Sequence, residues 1–174
     1  MKVIRRPLAT VIAAAAAAIV GITGAAAYGS QQADRSQSSS SAHERPKIAN
    51  AWEKAWNSED PARLAALFTN DARYSDHALD QTFKGRGGVA QWATITKQFV
   101  GDANVTVNSA FADDNQVAIS WTFSGHLTGA PKPFSVPAVA ILKLRGNKIV
   151  TNDDYYNRAD VLSQSGLPAD TVFN

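Results

Sequence analysis

The sequence contains no cysteine. That excludes a disulfide framework, a thiol nucleophile and a cysteine-based metal site. Histidine is scarce: His43, His77 and His126 are widely spaced and form neither HxH nor HExxH. A transition-metal site is therefore not expected, mixed His/Asp ligation aside. No serine stands in a GxSxG elbow, so a Ser/His/Asp triad has no anchor. Gly85-Arg86-Gly87-Gly88 lacks the GxxxxGKS/T pattern, and no strand is read directly before it, so it is not a phosphate loop. No Lys/Arg run is interleaved with aromatics, which argues against nucleic acid as a partner. There is no internal repeat.

The chain has 174 residues, which suggests one domain with tails. Its formal charge is +2, but Lys2, Arg5 and Arg6 lie in an N-terminal leader. Without them 14 basic residues face 15 acidic ones, a net charge of −1. The basic whole-chain pI is a property of the leader.

Residues 1–27 read as a secretory signal. Lys2, Arg5 and Arg6 form the positive end, Leu8 to Val20 is Ala, Ile, Val, Leu and one Thr, and Ala25-Ala26-Ala27 offers a small-x-small cleavage site before Tyr28. Leu8 to Ala27 also matches the about 20 residues of a membrane span, so an uncleaved anchor is the alternative. Both versions place the domain outside the cytoplasm, and any membrane contact would run through this segment alone. Residues 28–43 are rich in Ser and Gln and cannot bury enough apolar surface to offset chain entropy. They read as a flexible tether, His43 included.

The body, 44–174, begins with a helix over Pro46 to Trp56, on which Ile48, Trp52 and Trp56 repeat at i, i+4, i+8. Two Trp on one face suit a core, or a platform for a ligand. Asp60-Pro61 starts a second helix whose buried face is Leu64, Leu67 and Phe68, ended by Asn70-Asp71. Ala72 to Asp76 is a short strand running into His77. A third helix is read over Val89 to Val100, with a stripe of Val89, Trp92, Thr96 and Phe99. Strands follow. Val105 and Val107 alternate with polar residues, with Phe111 after a break in the pattern. Val117, Ile119, Trp121 and Phe123 alternate cleanly with Ala118, Ser120, Thr122 and Ser124. Gly125 to Pro133 reads as a loop or a long, irregular hairpin. Phe134 to Leu144 is a strand in which Pro137 predicts an edge or a bulge. Ile149 to Tyr156 is the last strand, and Ala159 to Ser163 a short terminal helix. Helices first, then a run of antiparallel strands, is an α+β order.

Three segments carry a resemblance. They are Ala55 to Asp60 with Leu64 to Ala72, then Phe83-Lys84-Gly85, then Gly146 to Tyr156 running on through Gln164 and Gly166-Leu167. In this order they resemble the SnoaL-like branch of the NTF2-like superfamily, whose relatives include ketosteroid isomerases and limonene epoxide hydrolases. The resemblance covers about residues 48–168. It implies an NTF2-like cone, three N-terminal helices packed on a curved antiparallel sheet, with a pocket in the mouth of the cone. It also implies binding of a small hydrophobic molecule and dimerisation through the sheet, with either cofactor-free proton transfer or a non-catalytic ligand-binding or protein-interaction role.

The resemblance places Asp76 where the isomerases carry a proton-shuttling Asp, and Tyr74 and Asp154 where the epoxide hydrolases have catalytic groups. The catalytic sets are incomplete. Trp52 and Ala140 stand where the isomerases have oxyanion-hole Tyr and Asp, and Trp121 and Phe123 where the hydrolases need Arg and Asp. The candidate acid/base pair is Asp76 and Asp154, with Tyr74, Trp52, Trp121, Asn152, Tyr156 and His126 as candidate binding residues. Each has a plainer alternative: a solvated strand end for Asp76, a salt bridge to Arg73 or Arg158 for Asp154, core packing for the Trp residues, and an exposed loop for His126. Strand alternation makes only one of Asp153 and Asp154 inward-facing, and the resemblance selects Asp154.

Overall fold

The computed structural model describes residues 44–172. The expected leader and tether lie outside the described residues.

Helix α1 (Lys47–Trp56) starts directly after Pro46 and buries Ala49, Trp52, Ala55 and Trp56. Asp60 caps α2 (Pro61–Ala65), its side chain accepting the Ala62 N–H at 2.9 Å. The chain then enters β1 (Phe68–Asp76) and returns as β2 (Gln81–Lys84), which runs into α3 (Gly85–Phe99). Four long strands follow: β3 (Val100–Asp113), β4 (Gln116–Leu127), β5 (Phe134–Arg145) and β6 (Lys148–Tyr156). Helix α4 (Arg158–Ser165) is capped by Asn157 and ends on Gly166 at φ 73°, a left-handed position that suits glycine.

The strands form one sheet in the order β2-β1-β6-β5-β4-β3. Every pairing is antiparallel except that of β1 with β6, which is parallel. Strand β3 is an edge, and α1 covers it with side chains. Asn57 at the helix end donates to the Val105 carbonyl (2.7 Å) and accepts from the Val105 N–H (2.8 Å). Glu53 accepts the Val107 N–H at 2.7 Å, and Arg45 donates to the Val107 carbonyl at 2.8 Å. The outward backbone groups of Val105 and Val107 are thus occupied, which blunts this part of the edge.

The helices, the sheet and the curved α+β cone agree with the sequence reading, and several local readings are refined or corrected. Phe68 belongs to β1 rather than to the second helix. It is 1% exposed, and its pairing with Ile149 of β6 overrides the helical spacing of Leu64, Leu67 and Phe68. Strand β2 was not expected, and it leads directly into Gly85, so α3 begins four residues earlier than the apolar stripe suggested. The break after Val107 is a bulge: the β3–β4 register shifts between Val107 and Ser109, which turns Ala110 inward and leaves Phe111 exposed. His126 lies in β4, not in a loop. Pro137 sits in an interior strand, one residue beyond the last β5–β6 pair, Ala138 with Tyr156. The β5–β6 ladder ends at Ala138, so Pro137 is paired on one side only, with Thr122 of β4.

The main core is built from the inner faces of α1, α3 and the sheet, with a smaller cluster around Val136, Val161 and Leu162 under α4. Phe123 and Tyr156 touch both clusters.

Candidate active site

Between the two clusters is a cavity of about 660 Å³. Its walls are largely aromatic: Trp56, Phe83, Trp92, Trp121, Phe123 and Phe134. Asp76, Asp154 and Tyr156 supply polar groups within it.

The parallel pairing of β1 and β6 positions the acids. It sets Tyr74 opposite Asn152 and Asp76 opposite Asp154. Alternation then turns all four inward, and neighbouring strands bring the two acids side by side at about 4.8 Å strand spacing. Each carboxyl residue is only 3% exposed. Across the other flank of β6, Asp154 is paired with Ala140, so no polar side chain competes for it from β5.

The two acids have different surroundings. Tyr74 donates to Asp154 Oδ2, and the Asn152 amide donates to Asp154 Oδ1 at 2.6 Å. The Trp52 indole N–H in turn donates to Asn152 Oδ1 at 2.9 Å. Burial nevertheless outweighs these donors, and the Asp154 carboxyl is pushed up to about 8, with the nearby charges of Asp76 and Asp153 adding to the rise. Asp76 accepts from the Leu79 N–H at 2.9 Å and from the Tyr156 hydroxyl at 3.0 Å. Burial raises it above the usual carboxylate range, opposed by these hydrogen bonds. Burial also raises both phenols, Tyr74 and Tyr156, so each remains a donor at neutral pH.

Asp76, Asp154, Trp121 and Tyr156 therefore line the cavity. Tyr74, Trp52 and Asn152 do not: they are buried behind Asp154, each at 0% exposure, and hold it rather than a ligand. His126 is outside this cavity, its Nε2 tied to the Ala130 carbonyl at 2.7 Å. It pairs with Gly101 at the far edge of the sheet, which removes it from the site. The expected salt-bridge alternative for Asp154 falls to its neighbour: Asp153, on the outer face, takes Arg73 at 3.0 Å and His77 at 3.0 Å.

The sequence reading missed the contributions of Leu79, Phe83, Ile95 and Arg158 to the wall. Phe83 was visible as part of a motif, but the strand that aims it was not. Among the described residues no group of three or more His, Cys, Asp or Glu side chains could hold a metal ion.

The family model for the SnoaL-like domain matches residues 49–152. The chain belongs to the SnoaL-like family. This SnoaL-like chain is 39% identical to a hypothetical protein with a ketosteroid isomerase-like fold from Catenulispora acidiphila DSM 44928, solved in complex with trimethylamine. That match covers 74% of this chain and 98% of the other, with a TM-score of 0.72. TsrD from Streptomyces laurentii is 19% identical over 70% of this chain and 94% of its own, with a TM-score of 0.61. A candidate SnoaL-like polyketide cyclase from Shewanella putrefaciens CN-32 is 16% identical over 69% and 94%, with a TM-score of 0.60. The last two show the shared fold. No curated protein sequence matches the chain significantly.

Proposed function

We propose that this SnoaL-like domain binds a small, largely apolar carbonyl compound and catalyses proton transfer on it with its own side chains. Isomerisation and intramolecular cyclisation are the reactions in view, with hydrolysis a further outcome of the same acid/base pair. The observation that carries this reading is the Asp76–Asp154 pairing inside an aromatic cavity. Asp76, supported by Tyr156 and the Leu79 N–H, is the base that removes a proton from carbon next to the carbonyl. Asp154, neutral at pH 7, donates to the carbonyl oxygen as enolate charge develops there. The resemblance to the isomerases sets Ala140 at the place of their oxyanion-hole Asp, and Asp154 stands directly across from Ala140 on the neighbouring strand. The acid is therefore supplied from one strand over.

The test is deuterium uptake from D₂O into a panel of apolar ketones and aldehydes, followed by mass spectrometry. Uptake should fall by about 10²–10⁴-fold in Asp76→Asn, the range of a lost general base. An Asp76→Asn protein that exchanges its best substrate at the wild-type rate ends the proposal.

The trimethylamine complex of the Catenulispora protein favours a second reading, a non-catalytic receptor for a small amine. Aromatic walls beside the Asp76 carboxylate suit an alkylammonium ion. Calorimetric titration with trimethylammonium separates the readings: tight binding with no deuterium exchange on any carbonyl compound supports the receptor. In either case the leader points to an exported protein. Dimerisation is proposed through the outer sheet face, where Val139 and Tyr155 are paired neighbours and both exposed. Val139→Glu should convert a sedimenting dimer to monomer.

A further inference from the structure

The hydrogen bonds behind Asp154 have a direction, and the direction is forced. An indole N–H can donate but not accept. Trp52 therefore requires the oxygen of Asn152, not its NH₂, at the 2.9 Å contact. With that oxygen committed, the Asn152 NH₂ faces Asp154 Oδ1 at 2.6 Å. Asn152 is fully buried, so no water is available to compensate a reversed amide. The other oxygen is treated alike. The Tyr74 hydroxyl donates to Asp154 Oδ2. Both Asp154 oxygens thus accept from the protein side, and neither can place a proton there.

We infer that Trp52 and Asn152 are positioning residues: they form a one-way relay that keeps Asp154 an acceptor on its buried side and turns its own proton towards the cavity. The inference rests on reading Asp154 as the proton-carrying group of the site. It goes beyond that reading by assigning a task to two residues that touch no ligand. It also gives the ligand a polarity, with an acceptor atom at Asp154. A group that can only donate, such as an alkylammonium N–H, would meet the carboxyl proton. The charged and titratable groups around Asp154 are Asp76 and Tyr74 on β1 and Tyr156 on β6, with Asp153 adjacent in the chain but on the outer face.

The chain has four Trp, which makes the relay directly observable. In protein labelled at the indole nitrogens and at the Asp carboxyl carbons, both signals are followed by NMR from pH 5 to pH 9.5. The Trp52 N–H resonance should move with the midpoint of the Asp154 titration. The Trp56 indole, one turn along the same helix, has no hydrogen-bond partner and should not move. A Trp52 resonance that stays fixed while Asp154 titrates overturns the relay. Two variants extend the test. Asn152→Leu removes a donor to the carboxylate and should raise the Asp154 midpoint by about one pH unit. Trp52→Phe frees the amide to reverse and should raise it as well. An unchanged midpoint in both Trp52→Phe and Asn152→Leu also overturns the inference. Should either variant fail to fold, the wild-type titration decides alone. No substrate enters these measurements, so the relay can fail while the enzymatic reading stands, and the reverse.

Discussion

A carboxyl group taken out of water loses its hydration, and Tyr74 and Asn152 together return less than that loss. Burial therefore pushes the Asp154 carboxyl up to about 8. This has a consequence for stability with a definite sign. Between about pH 4 and pH 8 the folded protein holds a proton on Asp154 that the unfolded chain has released. Stability must then fall as pH rises through that window and level off above it. The contribution is on the order of a few kcal/mol at most. Asp76 is also raised by burial and acts in the same direction. Urea unfolding at pH 5, 6.5 and 8 should show the decline in the wild type. Asp154→Asn, neutral at every pH, should show a much flatter profile; parallel profiles would mean that Asp154 is ionised in the folded state. The same asymmetry shapes the pH dependence of turnover. Activity should rise as Asp76 ionises and fall as Asp154 loses its proton, with the upper limb near pH 8. Tyr156→Phe removes a hydrogen bond that favours ionised Asp76, so the acidic limb should move to higher pH while the upper limb stays.

At the level of elements, the site depends on strands that are held in place from outside. Val105 lines the cavity, and its backbone is secured by the two hydrogen bonds from Asn57 at the end of α1. Asn57→Ala leaves a donor and an acceptor of the edge strand without partners. It should cost about 1–3 kcal/mol in chemical denaturation, the range for an unmet buried polar group. A change within 0.3 kcal/mol would show that water replaces the amide. Much of this architecture was legible in the sequence because alternation is a local property: Val117, Ile119 and Trp121 face inward as their spacing implies, and so does Asp154. What was not legible is set by pairing across the chain. Phe68 follows Leu64 at helical spacing, and only its contact with Ile149, distant in sequence, makes it a strand residue. The parallel register that joins Asp76 to Asp154 has no local signature at all. For the same reason Tyr74, Trp52 and Asn152 were identifiable as members of the site but not as its buried support. Their role depends on how deep β1, β6 and α1 lie, not on which way each side chain points. His126 failed for a different reason. Gly125 and the following Gly129, Pro131 and Pro133 look like a loop, yet β4 continues through His126 by pairing with Gly101.

On the scale of the whole molecule, the described domain already contains what the site needs. Both carboxyl groups, their donors and the aromatic walls come from residues between Trp52 and Tyr156, and α4 closes one side with Val161 and Arg158. The Arg158 guanidinium reaches the Thr171 carbonyl, which ties the segment after α4 back against the helix. Residues 28–43 have the composition of a solvated spacer, so their expected role is to set the domain at a distance from a membrane or from a cleavage site, not to stabilise it. A protein starting at residue 44 should then melt within about 1 °C of one starting at residue 28. A stabilising contribution of about 1 kcal/mol would separate them by several degrees in a domain of this size. Differential scanning calorimetry of the two proteins provides the comparison, and the Asp154 carboxyl titration provides a second one at the site itself. Equal melting temperatures with equal Asp154 midpoints assign the N-terminal region to delivery alone. A lower melting temperature for the shorter protein would show that the spacer packs on the domain, and a shifted midpoint would show that it reaches the cavity.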